Sequence, residues 1–208
     1  MELTYNQPVY DSLPEGFIQT GEFNLKKNTR MMIVLNIAGF VLLIAAIGIL
    51  QSYTLMVRQG YGSTVLSFEV NSLTQVGLFI LYMVIDFILL VILHEGIHGV
   101  CFWLFTRRRP VFALGPGYAY AAAPDVFIRK NPYLITATSP LILLTLLGMV
   151  LIPFVSDNLL FHVSFITIMN IAGAVGDLWV FGGLLFKREP VLICDSGDCV
   201  AVFQPVKQ

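Results

Sequence analysis

Four stretches of the sequence are almost wholly apolar: 31–50, 73–105, 133–155 and 159–186. Each runs for about 20 residues or more, which as an α-helix covers the roughly 30 Å of hydrocarbon in a bilayer. Inside that layer every backbone N–H and C=O must find a partner within the chain, so helices are the structures expected there. The rest of the chain cannot compensate: 57% of the 208 residues are hydrophobic and 12% are charged, too few to clothe a soluble domain of this size. The expected fold is an all-α membrane protein with about four transmembrane helices. It divides into an N-terminal segment 1–30, a transmembrane domain 31–186 and a tail 187–208.

Basic residues set the expected orientation. Lys26, Lys27 and Arg30 precede the first stretch; Arg107, Arg108, Arg109, Arg129 and Lys130 lie between the second and third; Lys187, Arg188 and Lys207 follow the fourth. The loops on the opposite side hold only Arg58. Lys and Arg accumulate on the cytoplasmic side, which makes this a multi-pass cell-membrane protein with both termini cytosolic. The first thirty residues carry no apolar core of a cleavable signal, so an internal span is expected to direct insertion. A net charge of −1, with no basic patch interleaved with aromatics, gives no expectation of a nucleic-acid partner.

Two segments read as β-like. "PVFALGPGYAYAAAPDVFIRKNPY" has a Gly-Pro-Gly turn at 115–117 between extended-looking runs, and suggests a small hairpin or re-entrant loop at the membrane surface. "VLICDSGDCVAVF" has two β-favouring runs around Asp-Ser-Gly-Asp, and suggests a short cytosolic hairpin. Cys194 and Cys199 flank that turn as a cross-strand pair, expected as free thiols in a reducing compartment.

The second apolar stretch contains "ILLVILHEGIHGVCFWLF". A charged side chain at the centre of a span costs on the order of 3 kcal/mol, so three ionisable groups together call for a function. His94, Glu95 and His98 form H-E-x-x-H. Residues four apart share a helix face, so both imidazoles can reach one ion, and Glu95 can sit beside a water on it. A bound Zn²⁺ lowers the pKa of such a water to about 7 and polarises a carbonyl. A polar helix–helix contact or a proton relay would use the same residue types.

A catalytic zinc usually has three protein ligands and one open position. Asp177 is the acid within the last apolar stretch that can supply the third. His98 lies nine residues before Arg107, and Asp177 ten before Lys187, so the two side chains are expected at similar depth in the cytosolic half. Gly96, Gly99, Gly173 and Gly176 are small enough to let the two helices approach. Asn170, two turns before Asp177, is a candidate donor to a substrate carbonyl or oxyanion, or equally an interhelical hydrogen bond. Asp86 lies about 12 Å along the helix from His94, too far to be a ligand, and lines a water path or pairs with another helix. His162, about 22 Å from Asp177, is expected at the outer interface. Cys101 is expected to pack as a small residue.

The "LHEGIHG" helix, the apolar hairpin after it and the Asn…Gly…Asp element on a later span resemble the site-2-protease-like intramembrane zinc metallopeptidases. More closely, the arrangement is similar to a family of small bacterial membrane proteins described as zincin peptidases, over roughly 86–186. The resemblance implies zinc on His94, His98 and Asp177, with Glu95 as the catalytic glutamate. It departs from the better-known proteases where Gly173 stands in place of a proline and Leu178 follows the acid. The expected activity is hydrolysis of peptide bonds in membrane-associated proteins or peptides near the cytosolic face, within the lipid bilayer. The hairpin at 111–123 could then hold an unwound substrate as an added strand. The alternatives are a metal-ion or proton transporter, or an inactive membrane scaffold. The sequence sets no oligomeric state.

Overall fold

The computed structural model of the protein describes residues 8–24, 28–58, 64–66, 71–115 and 118–206. Lys26, Lys27 and Lys207 of the charge pattern, and Pro116 and Gly117 of the expected turn, lie outside them. The chain falls into two compact units. One lies within Met1–Leu35, Glu95–Ser139 and Gly176–Gln208; the other within Asn36–His94 and Pro140–Val175. The dividing line crosses the continuous helix α2.

The apolar stretches are helical: α1 (Thr29–Val57), α2 (Leu73–Thr106), α3 (Lys130–Leu151), α4 (Asp157–Gly173) and α5 (Val175–Leu185). The first three are each long and apolar enough to cross a membrane, and α4 with α5 makes a fourth if that bent pair is one span. Large apolar side chains such as Phe40 on α1 and Ile92 on α2 are exposed, as suits a surface solvated by lipid. At 34 residues α2 is about 51 Å long and exceeds the hydrocarbon layer.

Two helix boundaries differ from expectation. The third helix ends at Leu151 rather than 155, because Pro153 disfavours helical geometry at the residue before it. The fourth stretch is not one helix. It breaks at Ala174, and the two pieces are bent by 41°. Apolarity reports the surroundings of a segment and is blind to such a break.

The all-α expectation is corrected by a six-stranded antiparallel sheet. Its strands are β1 (Val9–Tyr10), β2 (Phe17–Asn24), β3 (Val111–Gly115), β4 (Tyr118–Arg129), β5 (Leu192–Asp195) and β6 (Cys199–Pro205). The order is β1-β4-β5-β6-β2, with β3 paired to β4. Both expected hairpins form, and β4 pairs with β5 to join them into one sheet. The N-terminal segment supplies two further strands through pairings such as Gly21 with Val202, which local patterning does not reveal. Gly197 holds the β5–β6 turn at φ +87, and a Cβ there would lie 2.0 Å from the Tyr120 ring. Only glycine satisfies both conditions. Cys194 and Cys199 do not face each other: Cys194 is opposite Ala201, and Cys199 is opposite Asn24 of β2. Neither is in a disulfide, and Cys199 Sγ lies 3.9 Å from Glu22 Oε2.

The first unit's core packs Ala121, Val126 and Ile128 of β4 with Ile193 and Val202 of the tail hairpin, and with Phe102 and Tyr133 from the helices. The second unit's core lies among Ala46, Leu50, Ile152, Leu160 and Ile168. Arg58, the basic residue on the wrong side for the charge rule, is committed locally. It donates to the carbonyls of Ile152 and Val155 past the end of α3, and to Asp157 at the start of α4. It closes a helix C-terminus.

Asp195 is buried and ties β5 to α3. It accepts from Tyr133 Oη at 2.6 Å and from Gly197 N at 2.8 Å. Burial raises its pKa from the ordinary 3.8 to about 6, against the pull of those two bonds and of His98. The folded state therefore holds this proton more tightly than the unfolded chain does. The resulting stability is present at low pH and is lost as the pH rises from about 4 to about 6. In unfolding titrations of detergent-solubilised protein, the wild type is expected to lose on the order of 2–3 kcal/mol across that window relative to Asp195→Asn. Parallel pH curves for the two proteins would contradict this.

Candidate metal centre

Helix α2 runs without interruption through Leu93 to Val100, so His94 and His98 stand one turn apart on one face. Neither histidine is left to rotate. His98 is buried, and its Nδ1 lies 2.9 Å from the Thr136 carbonyl of α3. A carbonyl only accepts, so Nδ1 carries a proton and Nε2 is the nitrogen turned toward Asp177. That Nε2 lies 3.4 Å from Asp177 Oδ1.

His94 is fixed by the same logic. Its Nδ1 lies 3.0 Å from Asn170 Oδ1. The amide's orientation follows from its other end, where Nδ2 is 3.3 Å from Pro140 O, 3.4 Å from Leu141 O and 3.3 Å from Thr145 Oγ1. Nδ2 donates to acceptors, and Oδ1 accepts from His94 Nδ1. Of Asn170's two expected roles, the interhelical bond is the one formed. Its side chain is buried and engaged at both ends.

Asp177 sits in the first turn of α5, just beyond the break. The break is held by Ala174 N donating to Asn170 O. A carboxylate is favoured in a helix's first turn, where unpaired N–H groups leave partial positive charge. Among the described residues, His94, His98 and Asp177 form a group able to hold a metal ion, with ligand atoms within 4.8 Å of one another. Tetrahedral zinc with bonds of about 2.0–2.1 Å spaces its ligand atoms about 3.4 Å apart, the separation of His98 Nε2 and Asp177 Oδ1. Two imidazole nitrogens and one carboxylate oxygen also match a catalytic site that keeps one position open. Glu95, half-buried, adjoins His94 on the same helix and is outside this group.

The glycines act differently from expectation. A Cβ on Gly96, Gly173 or Gly176 would meet nothing within 4 Å. Gly99 instead admits the ring of Phe112 from β3, whose Cζ would lie 2.4 Å from such a Cβ. The outermost strand of the hairpin is thereby seated on the metal helix, one residue from His98.

Asp86 pairs with another helix, and the partner is His162 of α4, with Nδ1 2.7 Å from Asp86 Oδ2. Sequence reasoning missed this pair, although a signal was present. His162 follows Asp86 by 76 residues, and Asn170 follows His94 by the same 76. One parallel packing of α2 on α4 makes both bonds. Cys101 is a free, partly buried thiol.

No curated protein and no solved structure matches the chain. The family model described as "Putative zincin peptidase" matches residues 87–191. That span is 105 of the 208 residues and includes His94, Glu95, His98 and Asp177. The chain belongs to this family.

Proposed function

We propose that the protein is a membrane-embedded zinc metallopeptidase that hydrolyses peptide bonds of membrane-associated substrates near the cytosolic face. The observation that carries this reading is the tautomer lock. Both histidines have Nδ1 committed to an acceptor, so Nε2 is the nitrogen each would turn to a metal held with Asp177. Zinc held by His94, His98 and Asp177 would polarise the scissile carbonyl and acidify water. Glu95 takes the proton from the attacking water and delivers it to the departing amine nitrogen. A helical substrate hides its amides in its own hydrogen bonds, so it must unwind first. Ala121–Ala123 lie inside β4, paired with β3 and β5, so β3 is the strand that offers an edge. Its exposed Val111, Phe112 and Leu114 suit an apolar segment added as a further strand.

The cytosolic assignment is supported by basic residues at three of the four helix ends that adjoin strands in sequence: Arg107 to Arg109, Arg129 with Lys130, and Lys187 with Arg188. The test is reconstitution in lipid vesicles with a pool of single-span peptides, products being read by mass spectrometry. Purified without chelators, the protein should carry about one zinc per chain, and cleavage should stop with phenanthroline and return with zinc. A zinc-free wild type that cleaves nothing would refute the reading.

A further inference from the structure

Proline inside a spanning helix removes a hydrogen bond. In α3 the missing bond is that between the residue-140 nitrogen and the Thr136 carbonyl, since residue 140 is proline. A carbonyl left bare in an apolar layer is costly. Here the carbonyl freed by Pro140 is the one that accepts from His98 Nδ1 at 2.9 Å. We propose that Pro140 is a positioning residue for the metal site: by withholding an N–H, it reserves the Thr136 carbonyl for His98 and so sets which nitrogen His98 offers. This rests on the zinc reading of that site.

Three further observations support it. The Thr136 hydroxyl is spent on the Pro132 carbonyl at 3.0 Å, so the group facing His98 is backbone, not side chain. The neighbouring hydroxyls of Thr138 and Ser139 likewise fold back on the carbonyls of Leu134 and Ile135. They satisfy themselves and do not compete for the imidazole. The proline's own carbonyl then receives Asn170 Nδ2 at 3.3 Å, and Asn170 holds His94. A single turn of α3 thus secures the outer nitrogen of both histidines.

The test measures zinc affinity of the full-length protein in detergent, by competition with a chromophoric chelator, together with thermal unfolding of the metal-free form. Pro140→Ala restores the N–H. It is expected to weaken zinc binding about tenfold or more, the usual effect of losing a partner behind a metal-bound histidine. The metal-free protein should melt no lower than wild type, because a helix interior gains its missing bond. Thr136→Val keeps the carbonyl and should bind zinc like wild type. An α-hydroxy acid at position 140 lacks the N–H without supplying the ring, and should also bind like wild type. That variant separates the missing donor from the ring's shape, and it still decides the matter if Pro140→Ala folds poorly. Zinc affinity within twofold of wild type in Pro140→Ala, or a tenfold loss in the hydroxy-acid variant, would overturn the assignment. A wild type that binds no zinc would overturn the metal reading itself, a distinguishable result.

Discussion

Glu95→Gln is expected to keep its zinc and to lose peptide hydrolysis by roughly 10²–10⁴-fold, the usual contribution of a general base. The substitution changes almost no volume and removes only the capacity to accept and return a proton. Glu95 stands outside the three-residue group able to hold the ion, so metal content should not fall. Its position next to His94, half-buried, is the position from which a carboxylate can reach a water beside the ion. Metal analysis and cleavage measured on one preparation decide among the rival activities. A metal transporter keeps transport unless Glu95 itself binds the ion, and a scaffold is indifferent to the change. Zinc lost together with activity would make Glu95 a ligand. Cleavage at the wild-type rate would remove it from the chemistry.

Asp177→Ala should take zinc content from about one per chain to near none, because a site of three protein ligands is left with two. His94→Ala should do the same. The Asp177 change removes little packing. Asp177 is a quarter exposed, and an acid in a helix's first turn contributes about 0.3–1 kcal/mol to stability. Metal-free melting curves of wild type and variant should therefore nearly coincide, which separates loss of a ligand from loss of the fold. Zinc retained in Asp177→Ala would place the third ligand elsewhere, and would leave the break at Ala174 without a part in holding metal.

Much of this arrangement was legible before any coordinates, and the gaps have physical causes. Apolar length marked the helices long and apolar enough to cross a membrane. H-E-x-x-H was legible because helix geometry alone makes residues four apart share a face. Matching the distances of His98 and Asp177 from their basic flanks pointed to their proximity, and His98 Nε2 and Asp177 Oδ1 lie 3.4 Å apart. Both hairpins were marked by their turn residues. The sheet that unites them was not, since pairings such as Phe23 with Val200 join residues far apart in the chain. Nor was the bend after Gly173, which hydropathy cannot register. Pro140 read only as part of an apolar stretch, because what matters there is a missing proton, and its significance depends on which side chain stands opposite.

The sheet also imposes an order on biosynthesis. Strand β2 is made early, yet its partner β6 follows only after the helices have been translated. At about 5–20 residues per second the gap is roughly 10–35 s. Throughout that interval the helices can enter the bilayer while the sheet beside the metal helix stays unfinished. A nascent chain therefore carries H-E-x-x-H before the sheet is complete.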